Sequence, residues 1–335
     1  MLTLNNSGNE KNCYISRIMS PFDQRSIFQI LMNMKTNVGM MLALIMMITV
    51  SGTFAQNTNK PDKKFFVYLC FGQSNMEAGA RPEEQDKGEV NKRFQMLAAV
   101  DMPKLNRTMG NWYVATPPLN RGENNMGPVD FFGRTMVANL PEKYRVGVIN
   151  VSVAGAMIEL WGKDTYKPYL DTVRVWMKNI CNQYDGNPYK RLVDMAKIAQ
   201  KDGVIKGILI HQGESNSTDK EWCKKVKAIY DNLMKDLNLK PKDVPLLSGE
   251  LKSAEEGGQC ASFNTEILPN LPKILPNSYI ISSKGCKGTK DAWHFNTTGM
   301  RELGKRYAIQ MLKIQGFKYT GEFMGSGTNS GNIEL

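Results

Sequence analysis

Ser74 stands in Gly72-Gln73-Ser74-Asn75-Met76, directly after seven unbroken apolar residues at 65–71. A hydroxyl at such a turn is a candidate nucleophile, although serine after glycine is also ordinary turn chemistry. Serine attacks only when a general base takes its proton. Histidine is the usual base because its unperturbed pKa lies near neutrality. The chain holds two histidines, in Ile210-His211-Gln212-Gly213-Glu214-Ser215-Asn216 and in Asp291-Ala292-Trp293-His294-Phe295. The base is therefore one of these two.

Acyl transfer needs a nucleophile, a base, a group that orients the base, and donors for the developing oxyanion. Ser74 supplies the first and His294 the second. Asp291 lies three residues before His294, and one helical turn would set the two on one face, carboxylate to ring. His211 has no acid at that spacing, so it is read as orienting its loop. The expected oxyanion donors are the backbone N–H of Ser74, the backbone N–H of Gly155 and the side-chain amide of Gln212. Glycine suits that place because no side chain blocks a carbonyl from the backbone. Asn216 is a competing amide. Gln73 and Asn75 flank the nucleophile as supporting residues. Glu214 reads equally as an orienting or binding acid and as a salt-bridged structural one. Trp161 and Trp293 read as packing ahead of sugar platforms. No Cys–x–x–Cys or Cys–His spacing suggests zinc, and neither metal nor cofactor is expected.

These residues must be carried by elements that bring them together. The run at 65–71 has the length and the aromatic and β-branched content of a strand buried on both faces. Further strands are expected at 145–153, 204–210, 244–247 and 278–283. Helices are expected at 130–140, 172–183, 189–201, 219–239 and 297–314. Asp219 is the expected cap of the fourth, and Thr297 or Thr298 of the last. Residues 77–128, rich in Gly, Pro, Asn and charge, read as one long irregular binding segment. Trp112, Tyr113 and residues 120–125 in it are candidates to line a sugar site. Strands alternating with helices imply one α/β domain with a parallel sheet. Ser74, Gly155 and Gln212 follow strand ends, and the 291–294 segment follows the last strand beyond a loop. Parallel strands present their carboxyl ends along one edge, so these segments can converge.

The blocks Gly72-Gln73-Ser74-Asn75-Met76, His211-Gln212-Gly213-Glu214-Ser215 and Asp291-Ala292-Trp293-His294-Phe295 resemble those of the SGNH (GDSL-like) hydrolase superfamily. The resemblance is nearer still to carbohydrate esterase family 6 and the sialate O-acetylesterase domain. Gly127-Pro128 and Ile158-Glu159-Leu160-Trp161 fit the same pattern, and the likeness spans about 64–314. It implies a flavodoxin-like α/β/α sandwich with a five-stranded parallel sheet. It also implies metal-free deacetylation of sugars, with the residue roles given above. Two departures stand out. The wider superfamily has Asn where Gln212 matches, and its second block reads Gly-Gly where this chain has Ala154-Gly155.

Composition sets the remaining bounds. The chain has 335 residues, 41% hydrophobic and 22% charged, an ordinary globular balance. The apolar run at 40–50 is too short for a membrane span. Lys35 before it and Ala55 after it make it a signal peptide, counted from Met34 more naturally than from Met1. The expected organisation is a cleaved leader at 1–55, a flexible start at 56–63, an esterase domain at 64–316 and a frayed tail at 317–335. The leader holds four basic and two acidic residues, which leaves +9 of the chain's +11. The basic residues are scattered, and the protein is expected to be exported, to periplasm or medium. Both points argue against nucleic acid and against stable membrane insertion. Cys260 and Cys286 are a candidate disulfide.

The sequence thus reads as a serine O-acetylesterase acting on acetylated polysaccharide or oligosaccharide, with acetylxylan the leading substrate. Sialate O-acetylesterase is the alternative enzyme. An inactive sugar-binding module is the alternative of another class, and it would have no need of a base with its own orienting carboxylate.

Overall fold

The computed structural model describes residues 60–122 and 125–321. The expected leader, residues 56–59 of the 56–63 segment and the tail beyond 321 lie outside them. The uninterrupted apolar run forms β1 (Phe65–Gly72), buried at every position. A strand with no polar face needs neighbours on both edges and cover on both faces, and β1 has them. It pairs in parallel with β4 (Arg145–Ser152) on one side and β5 (Val204–His211) on the other. Gly72 is level with Ser152 and with His211, so three strands end on one line.

The sheet continues through β2 (Phe94–Leu97), β3 (Trp112–Val114), β6 (Leu246–Gly249) and β7 (Ser278–Ile281). The order is β3-β2-β4-β1-β5-β6-β7, all parallel except β3. The five expected strands are therefore present, and among themselves they take the 2-1-3-4-5 order of a flavodoxin-like sheet. The sheet itself has seven strands. Both additions lie in the 77–128 segment expected to be irregular. They are four and three residues long and set between polar loops.

The helices are α1 (Ser74–Glu77), α2 (Pro128–Asn139), α3 (Tyr166–Thr172), α4 (Val175–Asn182), α5 (Pro188–Ala199), α6 (Trp222–Asp236), α7 (Phe263–Glu266), α8 (Leu271–Ile274) and α9 (Thr297–Ile314). α2 and α9 pack on each other across one face of the sheet, and α5 covers β4, β1 and β5 on the other, giving three layers. The helix expected at 172–183 is α4, which starts three residues later because Val173 and Arg174 are extended, and α3 precedes it as a short helix not expected from the sequence. Asn296, not Thr297 or Thr298, caps α9 by accepting the Gly299 N–H. Asp219 accepts the Glu221 N–H ahead of α6 and is not its N-cap.

Candidate active site

The line of strand ends builds the site. Gly72 has φ +153°, and a Cβ there would collide with the His211 carbonyl. Glycine lets the two chains close up, and the Gln73 N–H donates to that same carbonyl. Ser74 follows as the first residue of α1, so its own N–H has no partner within the helix. At the end of β4, Val153 donates to the Gly72 carbonyl, and the turn reaches Gly155 at φ +66°. Among the described residues, neither the Ser74 nor the Gly155 N–H finds an acceptor.

The third segment comes from the connection between β7 and α9. His294 Nε2 lies 2.9 Å from Ser74 Oγ, and His294 Nδ1 lies 2.9 Å from Asp291 Oδ2. No helix brings Asp291 and His294 together, as the sequence spacing had suggested. Residues 291–294 form a bend, and the other carboxylate oxygen, Oδ1, accepts the N–H of Trp293 and of His294, each at 2.8 Å. This is the Asx-type turn that aspartate makes with nearby backbone. Burial pulls the Asp291 carboxyl upward, but the Trp293 N–H, the His294 ring and the His294 N–H outweigh it. The carboxyl stays well below the usual range, so it is ionised wherever the ring must be oriented.

Asn75 fixes the loop from below. It is fully buried, donates to the Trp293 carbonyl at 3.0 Å and accepts the Phe295 N–H at 3.2 Å, bracketing His294. The same amide donates to Glu214 at 2.6 Å. Glu214 in turn lies 3.6 Å from His211 Nε2. Burial would raise the Glu214 carboxyl, but His211, then Asn75, hold it low. His211 is wholly buried behind the loop, edge-on to Phe295, and has no contact with Ser74. Lys252 was not foreseen. Its buried ammonium donates to the carbonyls of Asp291 and Thr289, at 2.5 and 3.0 Å.

Gln212 and Asn216 depart from the expected donor role. Gln212 is fully buried, and its NH₂ donates to Asn216 Oδ1, Gln73 Oε1 and the Ala156 carbonyl, while its oxygen accepts from Trp222. The amide of Asn216 is given to Glu159 and Asp219. Both side chains are committed inside the fold. Together with Gln73, whose oxygen also receives the Gly213 and Ser215 N–H groups, they knit the ends of β1 and β5. The donors left open are the two backbone N–H groups.

Ser74, His294 and Asp291 line an open cleft of about 440 Å³ with Ala154, Glu77 and Arg121. Glu77 and Arg121 form an ion pair, their side chains 3% and 10% exposed. Trp112 packs at a tilt against Phe65 at the start of β1, the opposite end of the sheet, and donates to Asp202. Neither it nor Tyr113, whose hydroxyl takes the Thr108 N–H, lines the cleft. Trp161 is buried against Phe71, whereas Trp293 is half-exposed beside His294. The five described cysteines, Cys260 and Cys286 among them, are free thiols, so the candidate disulfide is not formed.

A family model described as carbohydrate esterase, sialic acid-specific acetylesterase, matches residues 64–313. Among solved structures, a protein from Arabidopsis thaliana is 22% identical over 74% of this chain and 98% of its own, with a TM-score of 0.56. A carbohydrate acetylesterase from Xanthomonas citri is 19% identical over 74% of this chain and 56% of its own, TM-score 0.52. NanS is 16% identical over 77% of this chain and 99% of its own, TM-score 0.56. At these identities the likeness is one of fold.

Proposed function

The chain belongs to the carbohydrate esterase family of sialic acid-specific acetylesterases, and on that premise we propose that it is a serine O-acetylesterase of neutral acetylated sugars, acetylxylan and its oligosaccharides foremost. The observation that carries the serine mechanism is the chain of two 2.9 Å contacts from Ser74 through His294 to Asp291 at the rim of the cleft. Ser74 Oγ attacks the acetyl carbonyl while His294 Nε2 takes its proton. Asp291 keeps the ring tautomer and steadies the imidazolium. The Ser74 and Gly155 N–H groups receive the tetrahedral oxyanion. Collapse breaks the ester bond, His294 returns the proton to the sugar oxygen, and acetyl-Ser74 remains. A water that gives its proton to His294 then attacks the acetyl-serine. Acetate leaves and the Ser74 hydroxyl is restored.

Arg121 supports the choice of sugar class. Among the described residues lining the cleft it is the cation, and Glu77 pairs with it. Recognition of a sialate carboxylate calls for an unopposed cation, and the Glu77 carboxylate on the same wall would repel such a substrate. A paired arginine and carboxylate instead offer donors and acceptors to uncharged hydroxyls. O-acetylated sialate is the second reading, favoured by the family's description. Export is part of the proposal, since polymeric acetylated sugar lies outside the cell, and it rests on the 40–55 segment. Acetate release from acetylated xylan, O-acetylated sialic acid and an aryl acetate, assayed side by side, decides between the readings. Wild type should act on the xylan and the aryl acetate, and Ser74→Ala on neither. Release from the sialate alone overturns the neutral-sugar reading, and undiminished release by Ser74→Ala removes the nucleophile.

A further inference from the structure

From the face that α4 leaves open, we infer a sugar-stacking subsite on Trp176, next to the oxyanion turn, which holds the pyranose adjoining the acetylated one. This rests on the acetylesterase reading above. Trp176 is 46% exposed and its neighbour Val175 71% exposed, while Met177 and Cys181 of the same helix are buried. The helix therefore turns an indole outward although an inward face was available for it. The indole has a definite place. A Cβ built on Gly155 would stand 3.2 Å from its outer edge, so the ring overhangs the residue whose N–H is open to an oxyanion. Its support is rigid. The Tyr169 hydroxyl accepts the Met157 N–H at 2.9 Å, two residues past Gly155, and lies 3.6 Å from Met177 Sδ. The turn, α3 and α4 are thus clamped as one piece.

A large, half-exposed aromatic costs solvation in the free protein and gains when an apolar face covers it. A pyranose ring presents such a face through its axial C–H bonds, and pockets are commonly built of apolar walls with a few polar groups. Trp293, also 46% exposed, stands beside the base. One indole therefore stands next to the base in the chain and the other against the oxyanion turn. A site for a lone acetylated monosaccharide has no use for the second. Trp176 makes the enzyme one for chains of sugar.

The test compares Trp176→Ala with wild type on a 4-nitrophenyl ester of acetic acid, an acetylated xylose monosaccharide and an acetylated xylo-oligosaccharide. The expected result is a KM for the oligosaccharide raised about tenfold with kcat little changed, and unaltered constants for the other two. Trp176→Tyr should recover most of the loss, because stacking needs a ring and not the indole N–H. Equal KM values for variant and wild type on the oligosaccharide overturn the platform and leave the proposed reaction standing. Losses of the same size on all three esters also overturn it, since they mark a distorted Gly155 turn. Wild type that cleaves the aryl ester but no carbohydrate ester overturns the reaction, and the platform with it.

Discussion

At the scale of single residues, the two histidines make the sharpest contrast. The fold gives them opposite surroundings. His294 is 40% exposed, with one ring nitrogen on Ser74 and the other on Asp291. His211 is sealed behind it, with Glu214 as its nearest charged neighbour. His294→Ala should lower kcat on an aryl acetate by at least about 10³, the scale of a lost general base. His211→Ala should retain a measurable part of the activity and lose thermal stability, because it leaves the Glu214 carboxylate buried with less compensation. Paired kinetics and melting curves check both, and the reverse ranking would reassign the base. The contact of His294 with Asp291 was legible because an acid three residues upstream is a local pattern. The partners of the two amides were not legible, for the opposite reason. Gln212 and Asn216 occupy plausible positions in the chain, but what they bond is decided largely by Gln73 and Glu159, remote in sequence.

At the scale of elements, strands with continuous apolar runs and helices with a clear periodicity could be read, whereas β2 and β3 could not. Both lie in a segment rich in Gly, Pro, Asn and charge, and β3 joins the sheet only by antiparallel pairing with β2. The 291–294 stretch, whose spacing predicts a helical turn, is instead a bend in a loop whose shape is imposed from outside. Asn75 holds both its flanks and Lys252 holds its start. A base carried on a loop works only if the loop is fixed, since misplacement by an ångström costs rate steeply. Asn75→Ala should lower kcat by about 10-fold to 10²-fold on an aryl acetate with little change in KM. Asn75→Asp should be worse despite its equal size, because a carboxylate would face both Glu214 and the Trp293 carbonyl. If Asn75→Asp matches wild type in kcat, the loop is anchored by something other than this amide.

At the scale of the whole molecule, a charged cluster lies where three distant segments meet on the sheet face covered by α2 and α9. The two helices approach closely, since a Cβ on Gly304 of α9 would collide with the Pro128 carbonyl of α2. Arg301 of α9 pairs with Asp86 and Glu83 from the loop before β2. Arg134 of α2 donates to the Asp86 carbonyl. Asp130, in the first turn of α2, is 1% exposed and accepts the Gly127 N–H at 2.8 Å. The cluster is not visible in the chain, because the contacts of Asp86 with Arg134 and with Arg301 join residues 48 and 215 positions apart. Burial dominates and pushes the Asp130 carboxyl up to about 7, with Asp86 adding to the rise and the Gly127 N–H and Arg134 opposing it. Its folded pKa therefore lies above its unfolded value of 3.8. Below 3.8 both states bind the proton and the residue is neutral to folding. Between 3.8 and about 7 the unfolded chain releases the proton first, so stability falls as pH rises. Above that the loss is complete, of the order of a few kcal/mol. Asn at this position keeps an oxygen for the Gly127 N–H and cannot ionise. Asp130→Asn should thus gain on wild type steadily from pH 4.5 to about 7 and hold that gain at pH 8, as read by denaturant unfolding across the range. A difference between the two proteins that does not change with pH would mean that Asp130 keeps an ordinary carboxyl in the fold, stabilised by Arg134 more than burial penalises it.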